Sequence, residues 1–323
     1  MITYLRHKEI DKERWDLCIR NAVNGRIYAS SWYLDLVSPG WDALADTEYE
    51  SVFPLTHRRK AGIDYLYQPF FTQQLGLFSR AHLTEALLDE FLKSIPEKFK
   101  WVDIQLNSLN KVNPLRYDTV FRLNHELDLI NSYENLSKNY SQNTLRNIRK
   151  ASQMGVNTGR KVEVDELITL FREHYGKKEG VLQFRDYETL RNLLQYLQRN
   201  VLGMLLGAYS ATGQLSAASF FIKEPSRVTY LFAASAPEAR ENGAMFLLID
   251  QFIREHAGQA LTLDFEGGND PDLGRFYKSF GAAESPYCQL RINRLPWVFR
   301  QGLYFTRKLR HWRKTATFAG KNQ

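Results

Sequence analysis

The spacing of apolar and polar residues predicts strands and helices in alternation, most clearly between residues 227 and 283. The apolar run Val228–Ala234 predicts a buried strand. After Pro237, apolar residues recur every three or four positions, which is typical of a helix. A second strand is predicted over Leu261–Glu266, and Pro271 begins a short helix. A strand, a crossover helix and a second strand predict two parallel neighbouring strands.

The same order of elements is predicted twice along the chain. The order of strands and helices in the first half recurs after a helical segment over 133–154. The second half then ends in a strand over 287–292. We therefore predict an α/β (α+β) protein with two tandem domains, each a mixed, mostly antiparallel sheet with a central parallel βαβ unit flanked by helices. The predicted parts are an N-terminal domain over 1–131, a C-terminal domain over 132–293 with a helical connector over 132–155, and a tail over 294–323.

The composition is that of an ordinary globular protein. A length of 323 residues favours two domains over one, and 44% hydrophobic with 24% charged residues is a usual balance. No apolar run reaches the roughly 18 residues that span a bilayer, and residues 1–9 lack the apolar region of a signal peptide. Cys18 and Cys288 stand in no metal-binding spacing, which predicts a reducing, cytoplasmic location.

The net charge of +7 comes from the predicted tail. Residues 294–323 contain eight Lys or Arg and no Asp or Glu, so the rest of the chain is close to neutral and does not indicate a nucleic-acid-binding surface. One helical face of this tail would carry the apolar residues Val298, Phe305, Leu309 and Trp312. A basic amphipathic helix predicts peripheral contact with the inner membrane face, and the alternative is a helix packed on the body.

Two motifs resemble those of a known superfamily. The stretch Arg240–Met245 (RENGAM) follows the pyrophosphate loop of the GNAT acyltransferases, Q/R-x-x-G-x-G/A, with Met245 in place of the last small residue. Asn269, with Tyr277 and Gly281 after it, matches their N…Y-x-x-x-G motif. The predicted order of elements in each half is also the GNAT order, so the chain resembles two GNAT-like domains in tandem.

Further stretches resemble the Fem-type peptidyltransferases, a branch of this superfamily with two such domains. Asp264–Asp270 (DFEGGND) and Phe276–Ala282 (FYKSFGA) are similar to the region where that branch carries a Lys in the context F-K-x-x-F-G. Ser141–Ala151 resembles the arginine-rich helix that begins its second domain. Similar first-domain segments are Glu50–Arg59, which is also predicted to form a strand, and Tyr67–Gly76. The chain lacks the long coiled-coil insertion that some tRNA-dependent members carry.

The resemblance implies candidate catalytic residues. Tyr277 stands at the GNAT position whose phenol protonates a leaving thiolate, and Lys278 matches the Fem-type Lys, which would polarise the acyl carbonyl. Strand alternation puts Asp264 and Glu266 on one face, where either could serve as the general base, with Glu266 nearer the loop. The structural alternatives are an aromatic ring that packs a helix, a solvated Lys and a solvated strand end.

Three groups of residues are candidate binding sites. A basic helix face, which suits a diphosphate or is simply solvated, comprises Arg146, Arg149 and Lys150. A helix start, whose free N–H groups would hold the pyrophosphate of an acyl-CoA, comprises Arg240, Gly243 and Ala244. Polar residues that could contact the substrate are Tyr67, Gln73, Gln74 and Asn269.

We expect an acyl- or aminoacyltransferase that forms an amide on an amine of a cell-envelope precursor of the peptidoglycan type. The resemblance implies no required cofactor, an acyl-CoA or an aminoacyl-tRNA as donor, and a small or lipid-linked precursor as acceptor. The alternatives are an acyl-CoA-dependent N-acyltransferase and a non-catalytic, GNAT-shaped binding module. The histidines show no metal-ligand spacing and no phosphate-binding loop of the G-x-x-x-x-G-K-[ST] type occurs, so metal and nucleotide-hydrolysis chemistry have no support.

Overall fold

The computed structural model describes residues 1–176 and 182–296. Its strands are β1 (Ile2–Leu5), β2 (Asp42–Asp46), β3 (Ser51–Leu55), β4 (His57–Lys60), β5 (Ile63–Tyr67), β6 (Phe78–Ser79), β7 (Phe99–Leu106), β8 (Asp118–Asp128), β9 (Asn157–Gly159), β10 (Gly203–Tyr209), β11 (Leu215–Lys223), β12 (Arg227–Ser235), β13 (Thr262–Asp264) and β14 (Ala283–Asn293). Its α-helices are α1 (Lys12–Asn21), α2 (Ser31–Val37), α3 (Glu85–Lys93), α4 (Tyr133–Ser137), α5 (Gln142–Gln153), α6 (Val164–Phe171), α7 (Phe184–Arg199), α8 (Glu238–Asn242), α9 (Ala244–His256) and α10 (Pro271–Lys278).

The described strands form two sheets. The smaller one has the order β1-β2-β3-β6, and the larger one has ten strands in the order β4-β5-β7-β14-β8-β13-β12-β11-β10-β9. Neighbours in the large sheet are antiparallel except for two parallel pairs, β5 with β7 and β12 with β13. Each half therefore contains one parallel pair within a mostly antiparallel sheet, which confirms the predicted fold class.

The large sheet joins the two halves of the chain. The last strand, β14, lies between β7 and β8, and β8 pairs on its other side with β13. Strands from before residue 131 and after residue 262 thus share one continuous hydrogen-bond ladder. The domain boundaries at 131/132 and 293/294 stay predictions, and backbone pairing across the first of them is extensive.

Three long predicted elements are each divided in the structure. The helix predicted after Pro237 is broken at Gly243, whose φ of 71° ends α8 before α9 begins. The segment predicted as one helix over 133–154 forms α4 and α5, because Ser141 caps a new helix by accepting the N–H of Thr144. The strand predicted over Glu50–Arg59 divides at Thr56, where the chain passes from the small sheet to the large one.

The parallel pair in the second half creates an opening at the edge of the sheet. β12 and β13 pair over only three positions, from Arg227 opposite Thr262 to Thr229 opposite Asp264. Beyond these positions β12 continues to Ser235, whereas the chain after β13 turns into a loop. The carboxyl ends of the two parallel strands therefore separate, which is where open α/β sheets place their ligands.

Two expectations concern the membrane. No described helix is long and apolar enough to cross a bilayer. Of the predicted amphipathic tail, only Arg294 to Pro296 are described, and the predicted apolar face over 298–312 lies outside the described residues. Arg294 is bound to the body of the protein, since its guanidinium donates to the carbonyl oxygens of Ile95 and Pro96 at 3.0 and 3.1 Å.

The break at Gly243 can be tested by substitution. An added Cβ would lie 2.5 Å from the carbonyl oxygen of Asn147 in α5 and would also strain the left-handed backbone. We expect Gly243→Ala to lower the free energy of unfolding by about 2–4 kcal/mol, measured by urea denaturation. Gly213 has a similar φ of 82° with no atom within 4 Å of an added Cβ, so Gly213→Ala should cost only about 1 kcal/mol. Equal losses for the two variants would contradict the role of the contact with α5.

Candidate active site

The loop that follows β13 is held in an unusual conformation. Glu266 has a φ of 55°, a left-handed conformation that costs a non-glycine residue about 1–2 kcal/mol. Its N–H donates to Asp264 Oδ1 at 2.9 Å, and the N–H of Gly267 donates to Asn124 Oδ1 at 3.0 Å. Gly268 has to be a glycine, because an added Cβ would lie 2.2 Å from His125 Nδ1. Strain maintained by so many contacts is typical of a functional site.

The carboxylate of Glu266 points at residues of the first half of the chain. It accepts a hydrogen bond from the hydroxyl of Tyr28, and the backbone N–H of Gln73 lies within reach. Burial raises the pKa of Glu266 well above its usual range, and the neighbouring Asp264 raises it further, whereas the Tyr28 and Gln73 donors and Arg26 oppose the rise. A carboxyl group whose protonated form is favoured in this way takes up a proton more readily than an exposed one.

Tyr277 lies beside this loop. Its ring stacks on Phe265 with 4.7 Å between centroids, and an added Cβ at Gly267 would lie 3.6 Å from its hydroxyl oxygen. Within residues 1–176 and 182–296, the hydroxyl makes no hydrogen bond, and burial raises the pKa of Tyr277 above its ordinary value of 10.0. The phenol therefore stays protonated at neutral pH and has a hydrogen bond to offer next to Glu266.

Asp264 occupies a buried network of ion pairs. Its carboxylate accepts from Arg227 at 2.7 Å and from Asn124 at 2.8 Å, and Arg26 lies 3.6 Å away. The same Arg227 donates to Glu126 at 2.9 Å. Since both oxygens of Asp264 are occupied, we correct its predicted role as a base: it orients the loop through the N–H of Glu266.

A second acid lies at the same junction of the two halves. Glu224, in the turn between β11 and β12, accepts the N–H of Ile27 at 2.8 Å. Burial raises the pKa of Glu224 to about 7, with Arg26, the Ile27 N–H and Arg227 acting in the opposite direction.

The two candidates on α10 differ in exposure, since Tyr277 is buried and Lys278 is exposed. The ammonium of Lys278 pairs with Glu284, and about half of its side chain is exposed. In the described part of the chain, no ion pair or hydrogen bond links it to Glu266 or Asp264. The reason is helix geometry, since successive residues project about 100° apart. Counting back from Phe280 and Gly281, the Lys of F-K-x-x-F-G falls at position 277, so Tyr277 takes the inward place that the sequence analysis assigned to Lys278.

The predicted pyrophosphate site at Arg240, Gly243 and Ala244 is closed. Gly243 and Ala244 are buried, and the Ala244 N–H already donates to Asn242 Oδ1 at 2.9 Å. α5 covers this point, with the carbonyl of Asn147 against Gly243, and Arg240 is exposed on α8. The expected anion site is therefore corrected, because the side chain of Asn242 and the neighbouring helix use the groups that would bind the anion.

The basic face of α5 is present. Arg146, Arg149 and Lys150 are all exposed, and among described residues the only hydrogen bond of the three goes from Arg146 to Asn143 at 2.7 Å. The start of α5 is fixed to the helix of Tyr277, because Thr144 Oγ1 lies 2.7 Å from Ser279 Oγ. A rise of 1.5 Å per residue puts Lys150 roughly 9 Å along the axis from that contact.

The polar candidates divide into two groups. Gln73 and Gln74 lie at the junction, where Gln73 Nε2 donates to Asn124 Oδ1 at 3.3 Å and Gln74 Nε2 donates to Gln73 Oε1 at 2.7 Å. Gln74 is buried, so it supports Gln73. Tyr67 lies apart, with the guanidinium of Arg58 over its ring.

Asn269 does not face an open site, contrary to the expectation. Its side chain accepts the Leu123 N–H at 3.0 Å and donates to the Leu123 carbonyl at 3.4 Å. These two bonds tie the loop after β13 to β8, so the amide is occupied by the backbone. Substrate contact through Asn269 is therefore not supported by its placement.

Sequence reasoning missed several residues of the junction, from both halves of the chain. Tyr28 and Arg26 are separated from Glu266 by more than 200 positions, and Asn124 lies in a strand with no recognisable motif. Arg227 and Glu224 flank a turn, where charged residues are ordinary. The only available signal was the charge of residues that directly border apolar strands.

In the part of the chain that the structure describes, no group of three or more His, Cys, Asp or Glu could hold a metal ion. The chemistry available at the junction is proton transfer by Glu266, hydrogen-bond donation by Tyr277 and charge compensation by the two arginines.

Comparison with known proteins shows what this fold and site resemble. Residues 138–279 match the acetyltransferase (GNAT) domain family. The matched region includes α5, both strands of the second parallel pair and Tyr277. No curated protein matches the sequence.

Over most of its length the chain is similar in fold to three solved structures. It is similar to the crystal structure of FemX, with a TM-score of 0.63 and 16% identity over 92% of this chain and 98% of that one. It is also similar to L-PGS from Bacillus licheniformis, with a TM-score of 0.52 and 11% identity over 92% and 96% of the two chains. A third similar structure is the C-terminal domain of a protein from Agrobacterium fabrum named as a lysylphosphatidylglycerol synthetase, with a TM-score of 0.52 and 10% identity over 88% and 92%. At such identities the likeness is one of fold.

The raised pKa of Glu224 predicts a dependence of stability on pH. Because the folded protein keeps this proton up to about pH 7 while the unfolded chain loses it near 4.5, stability should fall as the pH rises between these values. In Glu224→Gln, the decrease in the free energy of unfolding between pH 4.5 and 8, measured by urea denaturation, should be smaller by about 1–3 kcal/mol. The exposed Glu238 is the matched control, and Glu238→Gln should leave the slope unchanged. A slope unaltered by Glu224→Gln would contradict the assignment.

Proposed function

We propose that this acyltransferase moves an aminoacyl group from an aminoacyl-tRNA to an amine of a cell-envelope precursor. The observation that carries the proposal is that the hydroxyl of Tyr277 lies beside Gly267, the residue that follows Glu266, where β12 and β13 separate. A proton acceptor and a protonated donor next to each other are what amide formation from an ester requires.

The reaction follows from these two groups. Glu266 takes a proton from the attacking amine, whose nitrogen forms a bond to the ester carbonyl carbon. The hydroxyl of Tyr277 donates a hydrogen bond to the negative charge that develops on the carbonyl oxygen. The bond between carbon and the ribose oxygen then breaks, and the proton held by Glu266 passes to that oxygen. The products are an amide and a tRNA with a free hydroxyl.

The closed start of α9 favours an ester of tRNA over a thioester of coenzyme A as the donor. A GNAT enzyme that uses coenzyme A needs free N–H groups at this helix start for the pyrophosphate, whereas here Gly243 and Ala244 are buried beneath α5. The name of the Agrobacterium fabrum neighbour, which denotes lysine joined to a phospholipid, is in accord with an aminoacyl donor.

The basic face of α5 supports an acceptor that carries a diphosphate. Arginine guanidinium groups bind phosphate oxygens in pairs, and Lys adds a point charge. Arg149 and Lys150 are exposed on the helix that is tied to Ser279, so a diphosphate bound there would reach towards Tyr277. Precursors of the cell envelope combine a diphosphate with a peptide amine. The diphosphate would bind the basic residues of α5 while the amine reaches Glu266 and Tyr277.

Transfer can be measured with tRNA charged with radiolabelled amino acids and a UDP-linked muramyl peptide that has a free amine. We expect alkali-stable label on the peptide. Glu266→Gln should lower kcat by about 10²–10⁴-fold and Tyr277→Phe by about 10²-fold, because proton transfer and oxyanion stabilisation act in the transition state. Lys278→Ala, which removes only an exposed ion pair, is the control and should stay within about twofold.

Parallel reactions distinguish the alternatives. Thiol release from acetyl-CoA without any transfer from tRNA would support the acyl-CoA enzyme instead. Label on phosphatidylglycerol vesicles but not on the peptide would overturn the amine acceptor. A loss of activity in Lys278→Ala with full activity in Tyr277→Phe would restore the catalytic role of Lys278.

The acceptor site makes a separate prediction. The double substitution Arg149→Ala with Lys150→Ala should raise the KM for the UDP-linked acceptor by about tenfold or more and leave kcat unchanged, since hydrogen bonds to charged groups contribute about 1.5–3 kcal/mol. Arg20 is exposed on α1, and Arg20→Ala is the control for loss of positive charge. An unchanged KM in the double variant would place the diphosphate elsewhere.

A further inference from the structure

Three consecutive residues of the first half enter the acidic centre of the second half. The guanidinium of Arg26 lies 3.6 Å from Asp264, the N–H of Ile27 donates to Glu224 at 2.8 Å, and the hydroxyl of Tyr28 donates to Glu266. Each of the three residues is thus bound to a different carboxylate. The segment before α2 is therefore built into the site and does not merely cover it.

Tyr28 is fixed independently of its contact with Glu266. It lies in the short 3-10 helix Ile27–Ala29, only 3% of its surface is exposed, and its ring packs edge-on against Tyr33 at 5.6 Å. Tyr33 is held in turn, because its hydroxyl donates to the carbonyl of Phe71. A rigid donor of this kind restricts the Glu266 carboxylate to one orientation.

Several other charged or titratable groups face Glu266. From its own strand comes Asp264, from the first half come Arg26 and Tyr33, and from α10 and β14 come Tyr277 and Tyr287. Among these neighbours, Tyr28 is the side chain that donates a hydrogen bond directly to the carboxylate.

We propose that Tyr28 is a positioning residue that the first half supplies to the general base of the second half, so that the proton acceptor at Glu266 is complete only when the two halves are joined. The role of Glu266 as the base rests on the proposed function. The position of Tyr28 rests on its hydrogen bond to Glu266. Loss of the donor should make ionised Glu266 harder to form, since one of the bonds that stabilise the charged form is removed.

The test follows the protonation of Glu266 without any substrate. The full chain is labelled with ¹³C at the glutamate carboxyl carbons, and the Glu266 resonance is identified by its loss in Glu266→Gln. Tyr28→Phe should move the titration midpoint of this resonance to higher pH by about one unit, the equivalent of one hydrogen bond. Tyr33→Phe removes a hydroxyl equally buried in the same cluster and should leave the midpoint in place.

A second substitution keeps the proposal testable if Tyr28→Phe does not fold. Replacement of Tyr28 by 3-fluorotyrosine preserves the ring and makes the hydroxyl a stronger donor, so the midpoint should move to lower pH. A midpoint that neither change moves, or one that moves equally in Tyr33→Phe, would overturn the proposal and leave Tyr28 a packing residue.

Activity provides the second readout. With the muramyl peptide assay, Tyr28→Phe should shift the acid limb of kcat to higher pH by the same amount and leave KM unchanged, whereas a purely structural role would lower activity at every pH. If no aminoacyl transfer occurs, the proposed function fails while the ¹³C titration still decides the Tyr28–Glu266 contact. If transfer occurs but the midpoint does not move, the role of Tyr28 alone fails.

Discussion

The buried ion pair between Asp264 and Arg227 is the interaction on which the site depends. Its 2.7 Å contact holds the end of β13, and the other oxygen of Asp264 fixes the N–H of Glu266 in a left-handed conformation. Removal of one partner from such a pair leaves an uncompensated charge in the interior, at a cost of about 3–5 kcal/mol. Since Arg26 of the first half joins the same network, the pair also fixes how the two halves meet.

The elements set by local pattern could be predicted from the sequence. The strand predicted over Val228–Ala234 lies within one residue of β12 at each end, and the parallel arrangement of β12 and β13 followed from the order of strand, helix and strand. The breaks at Gly243 and Thr56 could not be predicted, because they depend on contacts with α5 and on the passage between two sheets. A periodic pattern shows that an element exists but not where distant neighbours interrupt it.

The candidate site was predictable only in part. Glu266, Tyr277 and Gln73 were identified and the structure brings them together, whereas Tyr28 and Glu224 were missed because their roles arise from pairings across the chain. The catalytic role of Lys278 stays a prediction, but its match to the Fem-type Lys is displaced by one position. Adjacent helical residues face directions 100° apart, so an error of one position in a motif exchanges an inward side chain for an exposed one.

The balance of charge at the junction accounts for the proton chemistry of the site. Two guanidinium groups, Arg26 and Arg227, lie among the carboxyl groups of Asp264, Glu126, Glu224 and Glu266, and they pair directly with the first two of these. Protonation of Glu224 and Glu266 removes the cost of burying their negative charges. Burial therefore raises the pKa values of both carboxyl groups. An acceptor that enters as an ammonium ion would supply the missing positive charge, favour ionised Glu266 and then surrender its proton to it. The ammonium ion would thus compensate the charge of ionised Glu266, and its proton is the one that the reaction must remove.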